Sequence, residues 1–220
     1  AFAKCSGRDK KKYAPIVERW RTEQLHIDEV IQLVKDWWAE NGAQASALGT
    51  RMHLQIENYI NEVAEGLTPA AHPDRDTPEF GQFLEYWADV CKAGFKPYRT
   101  EMKVYAEKYM LCGMVDMLFV DMQGRYRLRD WKRAKNIHKF SRDYCKPPFQ
   151  RFPSNDITKY SMQLHFYAKV LRELYDISVY DMAMVVFHPN QKQYEEVPAV
   201  NLSAEMNVAL SRHAAQLQCQ

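Results

Sequence analysis

Long apolar runs are missing from this 220-residue chain. None approaches the roughly 20 consecutive residues of a membrane-spanning helix, which argues against such a helix. The opening stretch, AFAKCSGRDKKK, lacks the apolar core of a signal peptide. The expectation is an intracellular protein, not a secreted one, with nucleus, cytoplasm and mitochondrion equally open. The first residue is not Met, which fits a piece of a longer chain. Cysteine is sparse and odd in number: Cys5, Cys91, Cys112, Cys145 and Cys219, with no C-x-x-C pair. That pattern points to reduced thiols, not to a disulfide frame or a zinc site. Internal repeats and low-complexity segments are also lacking.

What is present is ordinary globular composition, 46% hydrophobic and 26% charged. It is enough for one domain with a real core. Apolar spacing at Ile27, Val30, Ile31, Val34 and Trp38 predicts one or two helices over 14–39, with Gly42 as a stop. A further helix is expected at about 45–64. Another follows at about 77–93, opened by Pro78 in its first turn. Residues 98–107, 111–121 and 125–132 read as three strands, and a basic, proline-containing connection covers 133–155. A helix then buries Ile157, Tyr160, Leu164, Ala168, Leu171 and Tyr175. VYDMAMVVFHP is a fourth strand, YEEVPAV a short fifth, and 203–217 a closing helix. This order predicts an α/β fold, a small mixed sheet flanked by helices, with an N-terminal helical region. It reads as a single domain over 1–220, mainly helical to residue 95 and an αβ core beyond.

The second and third strands carry acids and a lysine where apolar residues would be expected. Met122-Gln123-Gly124 forms a three-residue loop with glycine last, where a left-handed residue is needed. That register sets Asp121 opposite Arg125 and Asp116 opposite Asp130. Opposed Cβ atoms lie roughly 4.5–5.5 Å apart, close enough for two carboxylates to repel. Lys132 lies on the same face, roughly 6.6 Å along the strand. A divalent cation would remove the repulsion and use both carboxylates as oxygen ligands. The ammonium could then orient a water or stabilise charge on a phosphate. The D/E-x-K pattern alone is weak, since it recurs at Asp9-Lys10-Lys11 and Glu101-Met102-Lys103; the opposed Asp116 strengthens it. Arg125, Arg127 and Arg129 lie on the other face, which must be partly open or paired with acids.

Four segments in order, GTRMHLQIE (49–57), GMVD (113–116), RDWK (129–132) and QLHFY (163–167), resemble those of the PD-(D/E)XK nucleases. The resemblance is to the RecB-like and Cas4-like branch, which includes the mitochondrial genome maintenance exonuclease, and to versions in large DNA viruses. It implies a restriction-endonuclease-like core. It also implies a metal-dependent DNA nuclease, acting as an exonuclease on single-stranded ends and leaving 5′-phosphates. His53, Asp116, Asp130 and the main-chain carbonyl of Trp131 would bind one or two Mg²⁺ or Mn²⁺ ions. Lys132 would serve with the two acids in catalysis. Glu101 and Glu57 would support the site, and Gln163 and Tyr167 would contact nucleic acid or brace the lysine and acids. Several relatives hold an iron–sulfur cluster on four cysteines, three near the C-terminus; only Cys219 is C-terminal here, so no cluster is expected.

Residues 132–160 hold eight Lys/Arg against two acids, a balance of +6 in a chain of +2. Phe140, Tyr144, Phe149 and Phe152 are interleaved. Cations meet phosphates and aromatic faces stack on unpaired bases. Arg133, Lys135, Lys139 and Arg142 are therefore expected in a DNA track; a solvated basic loop is the alternative. The expected partner is DNA, single-stranded or with single-stranded ends, with no membrane. Membership of a larger polypeptide or of a replication or repair complex is compatible with this. An endonuclease of the same fold, a non-catalytic binding module and an RNA-directed nuclease remain the other readings.

Overall fold

In a computed structural model, which describes residues 11–218, the chain divides into two units, 1–48 and 49–220. The first carries α1 (Ala14–Glu23) and the beginning of α2 (Ile27–Ala64). Within it the Trp38 indole N–H donates to the Tyr13 hydroxyl at 2.9 Å, and the Tyr13 and Trp37 rings meet edge to face. The sequence placed a stop at Gly42 and a separate helix from about 45, but α2 runs unbroken through Gly42 and Gly49. Neither glycine takes the left-handed conformation that ends a helix. Each interior glycine costs only about 1 kcal/mol relative to alanine, which a long helix absorbs.

The second unit holds the rest of α2, then α3 (Pro78–Lys92), β1 (Lys96–Ala106), β2 (Leu111–Val120) and β3 (Tyr126–Arg133). After the connection come α4 (Asp156–Tyr175), β4 (Val179–Phe187), β5 (Glu195–Pro198) and α5 (Ser203–Gln218). Capping follows the sequence. Thr77 accepts from the Phe80 N–H at the start of α3, and Asn155 accepts from the Thr158 N–H at the start of α4.

The sheet is five-stranded in the order β1-β2-β3-β4-β5. Its neighbours are antiparallel except β3 and β4, which run parallel and are joined through α4, as a parallel pair requires. On one face Val104, Leu128, Met184 and Val186 pack against Leu164, Val170 and Leu171 of α4 and Met206 and Leu210 of α5. On the other, Met117, Phe119, Trp131, Val185 and Phe187 pack against Met52, Ile56 and Ile60 of α2 and Phe80, Phe83, Tyr86 and Trp87 of α3. Tyr175, expected in the core, is exposed at the end of α4. The chain turns away there through left-handed Asp176.

From Met117 to Val120 the β2–β3 register is the one read from the loop: Met117 faces Arg129, Leu118 faces Leu128, and Gly124 has φ +73°. The ladder ends at the Met117–Arg129 pair, short of the expected opposition of Asp116 and Asp130. The arginine face resolves into pairing. Arg125 pairs with Asp121 at 2.6 Å, and Arg127 with Asp181 at 3.2 Å while lying over the Phe95 ring. Arg129 is buried, between Asp181 and Glu196 at 2.6 Å each, with its Nε donating to the Tyr86 hydroxyl. Among the described residues, no helix is long and apolar enough to cross a membrane.

Candidate metal centre

Strict alternation fails on β2 at one place. Val115 and Leu118 belong to one core cluster, Met117 and Phe119 to the other, so the strand changes face at Asp116. Opposite, on β1, the ladder pairs Thr100 with Met117 and Met102 with Val115, skipping Glu101 and Asp116. Glu101 has φ +44°, a left-handed conformation that a side chain with a Cβ adopts at a cost. Nothing in the residue type announces this kink. Its result is that acids from two adjacent strands converge on one spot.

Third to arrive is His53, from α2. Its Nδ1 lies 3.6 Å from Asp116 Oδ2 and 3.9 Å from Glu101 Oε1. Ligand atoms of His53, Glu101 and Asp116 all lie within 4.8 Å of one another. Its other nitrogen, Nε2, is 2.9 Å from the Trp131 carbonyl oxygen, to which it donates. The N–H of the same Trp131 donates to Asp116 Oδ2 at 2.7 Å. One residue, anchored by a buried indole, therefore touches both the imidazole and the acid. Asp130 is nearly inaccessible and pairs with Lys132, whose Nζ lies 2.7 Å from its Oδ2. The structure thus gathers His53, Glu101, Asp116, Asp130, the Trp131 carbonyl and Lys132. Glu57, one turn beyond His53, stands near enough to Glu101 to be held above the usual carboxylate range, first by burial and then by that charge.

The electrostatics describe a centre short of positive charge. Burial and the Asp130 carboxylate push Asp116 up to about 7. Burial also raises Asp130. Burial works to lower His53, but the neighbouring carboxylates of Glu101 and Asp116 outweigh that and raise it. Clustered oxygen donors with one imidazole suit a hard divalent cation such as Mg²⁺ or Mn²⁺ better than a thiophilic one. The residues present fit such an ion: His53, Glu101 and Asp116 would hold it, with the Trp131 carbonyl 2.9 Å from the imidazole and the Asp130–Lys132 pair outside that group.

Helix α4 supplies a brace. Tyr160, Gln163 and Tyr167 share one of its faces. Tyr160 packs against the core as expected, and the Lys132 ammonium also sits 4.4 Å above its ring centroid, a contact the sequence did not announce. The i, i+3, i+7 spacing with Gln163 and Tyr167 was its only signal. Gln163 Nε2 donates to the Tyr167 hydroxyl at 2.8 Å, and that hydroxyl accepts from the Met114 N–H at 3.4 Å. Tyr167 is buried, and its hydroxyl bond to the Met114 N–H braces β2. Gly113 is the reason it fits. A Cβ there would overlap the Tyr167 ring. Gly113→Ala is expected to lower stability by about 1–3 kcal/mol, the cost of overpacking. Adding Tyr167→Leu should recover most of it in a thermal-melting double-mutant cycle; additive losses would show that the ring is not what excludes a side chain.

The connection divides. Arg133 is committed to Glu79 of α3 at 2.7 Å, both half-buried or less, so its charge is not presented outward. Phe149 packs on the core and Arg151 pairs with Glu205. Lys135, Lys139 and Arg142 are exposed, and beside them Phe140 is 86% and Tyr144 67% exposed. Cys91 and Cys112 are exposed free thiols and Cys145 is half-buried; Cys5 and Cys219 lie outside the described residues.

A family model described as the PD-(D/E)XK nuclease superfamily matches residues 18–219. No curated protein matches by sequence. Among solved structures, similarity is found to a repair endonuclease from Pyrococcus abyssi, with 16% identity and a TM-score of 0.30, covering 66% of this chain and 45% of that one. A second, titled SSO0001, shows 14% identity and a TM-score of 0.31, covering 63% of this chain and 58% of that one. The chain therefore spans about half the length of these structures. Likeness this shallow carries neither protein's activity across.

Proposed function

The chain belongs to the PD-(D/E)XK nuclease superfamily, and from that premise we propose a Mg²⁺- or Mn²⁺-dependent deoxyribonuclease of the RecB-like branch. The observation that carries it is the meeting of His53, Glu101 and Asp116 within 4.8 Å, beside the Asp130–Lys132 pair. A bound divalent cation supplies Lewis-acid polarisation of the phosphate and neutralises charge that builds in the transition state. The side chains do the rest. Asp116 and Asp130 are the catalytic acids; Asp116 would hold the cation with His53 and Glu101, and Asp130 and the Trp131 carbonyl would join them. Lys132, held between Asp130 and the Tyr160 ring, orients the attacking water and donates to a phosphate oxygen. In-line attack expels the 3′-oxygen and leaves a 5′-phosphate. Exposed Phe140 and Tyr144 among Lys135, Lys139 and Arg142 favour single-stranded DNA, because only unpaired bases offer faces to stack on. Action from free ends, within a larger polypeptide or a replication or repair complex, completes the reading.

The test is cleavage of single-stranded DNA labelled at either end, beside a circular single strand, in Mg²⁺, Mn²⁺ and EDTA. Lys132→Ala is assayed in parallel. The expected result is loss of the linear strand alone, abolished by EDTA and lowered on the order of 10³-fold by the substitution. Cutting of the circle would make it an endonuclease. Metal-independent binding without cleavage would leave a binding module.

A further inference from the structure

A cleft of about 710 Å³ lies along β1, lined by Tyr98, Arg99, Glu101, Met102, Lys103 and Tyr175. That is within the roughly 300–1,000 Å³ typical of small-ligand sites. Its chemistry is not that of a generic surface. Tyr98 is 48% exposed, and its ring is fixed by an edge contact with Tyr126 at 5.1 Å between centroids. Tyr175 is 39% exposed at the end of α4. Arg99 and Lys103 are exposed, and among the described residues neither is paired with an acid, unlike Arg125, Arg127, Arg129 and Arg133. Glu101 also lines it, and its carboxylate lies 3.9 Å from His53 Nδ1. The cleft and the candidate metal centre therefore share this residue.

Resting on the nuclease reading, we propose that this cleft is a nucleotide-binding subsite. It takes one or two nucleotides of a single strand on one side of the scissile phosphate. Bases stack on Tyr98 and Tyr175, and Arg99 and Lys103 contact the flanking phosphates. The placement follows from strand order. β1 and β3 lie on opposite sides of β2, which carries Asp116, and the basic connection leaves from β3. A strand crossing the acids thus meets cations and aromatics on both sides. The competing account is that Arg99 and Lys103 merely guard an edge strand against pairing with another chain.

Binding and cleavage decide between them. Anisotropy of a fluorescent 20-nucleotide oligothymidylate is measured in EDTA at several salt concentrations for wild type, Arg99→Ala/Lys103→Ala, Tyr98→Ala and Tyr98→Phe. Lys192→Ala serves as a remote charge control, and melting curves establish folding. The double variant and Tyr98→Ala are each expected to bind about tenfold more weakly, with Tyr98→Phe near wild type. The double variant should flatten the log–log salt slope by roughly 1.4, since each phosphate contact contributes roughly 0.7 on a single strand. KM for cleavage should rise about tenfold with kcat within twofold. Affinity within twofold of Lys192→Ala overturns the subsite and leaves edge protection. A wild type that binds but cleaves under no divalent cation sinks the nuclease reading alone, and the binding comparison still judges the cleft.

Discussion

Asp116→Asn is expected to cut cleavage on the order of 10³-fold and, in EDTA, to make the protein more stable. The two effects have one origin. The amide keeps an oxygen to accept the Trp131 N–H, so the local hydrogen bond survives. What is lost is a buried negative charge within reach of the Asp130 carboxylate. Removing such a charge relieves desolvation and repulsion together, by about 1–3 kcal/mol. For a chain of this length that is a Tm rise of several degrees, at about 2–4 °C per kcal/mol. The same charge is what a divalent cation needs. Wild-type Tm should climb with Mn²⁺, by the equivalent of about 2.7 kcal/mol at a hundredfold excess over Kd, while the variant stays flat. Turnover should fall on the order of 10³-fold. Thermal melting in EDTA and in Mn²⁺, beside the nuclease assay, reads all three. A variant that melts lower than wild type in EDTA would contradict the repulsion, and one that cleaves as fast as wild type would remove Asp116 from the centre.

The largest effect on stability alone should come from the opposite face of β3. Arg129 is 1% exposed, and Asp181 and Glu196 are its two acids. Replacing both with alanine strands a guanidinium in the core, with only Tyr86 and backbone oxygens as partners. Orphaning a buried charge costs about 3–5 kcal/mol. The two acids are themselves about one-third exposed, so water screens part of their contribution and a value near 3 kcal/mol is expected. Adding Arg129→Met should restore most of it, because an apolar side chain of similar length leaves nothing unpaired. Urea denaturation of the double and triple variants checks this. A triple variant no more stable than the double would mean that loss of packing, not the unpaired charge, dominates.

Much of this was legible before the structure. The hairpin register was readable because alternation and a glycine-closed loop both constrain it, and two independent constraints rarely agree by accident. The five strands and the α4 crossover followed from period and punctuation. What escaped depended on tertiary context. Gly42 looked like a stop because glycine usually is one, yet the backbone there stays helical. Tyr175 fitted the helical stripe but falls where α4 outruns its support. Arg133 read as a phosphate contact because Glu79, its partner, lies 54 positions away. Tyr167 read equally as a nucleic-acid contact or a brace, because Gly113, which lets its ring sink in, gives no local sign of doing so. The left-handed Glu101 left no trace at all, since no residue preference favours it there.

The β2–β3 loop carries a last consequence. Met122 is 87% exposed, and the turn is held by backbone bonds to Asp121 with Gly124 in the left-handed region. Such a tip ordinarily tolerates insertion and deletion as readily as substitution. Here the two tolerances separate. Almost any side chain could replace Met122, but one residue more or fewer would shift β3 by a step and turn Asp130 and Lys132 to the far side of the sheet. The chemistry is thus tied to the length of a solvent-exposed turn that never touches it. Natural variation at this loop should be free in identity and frozen in number.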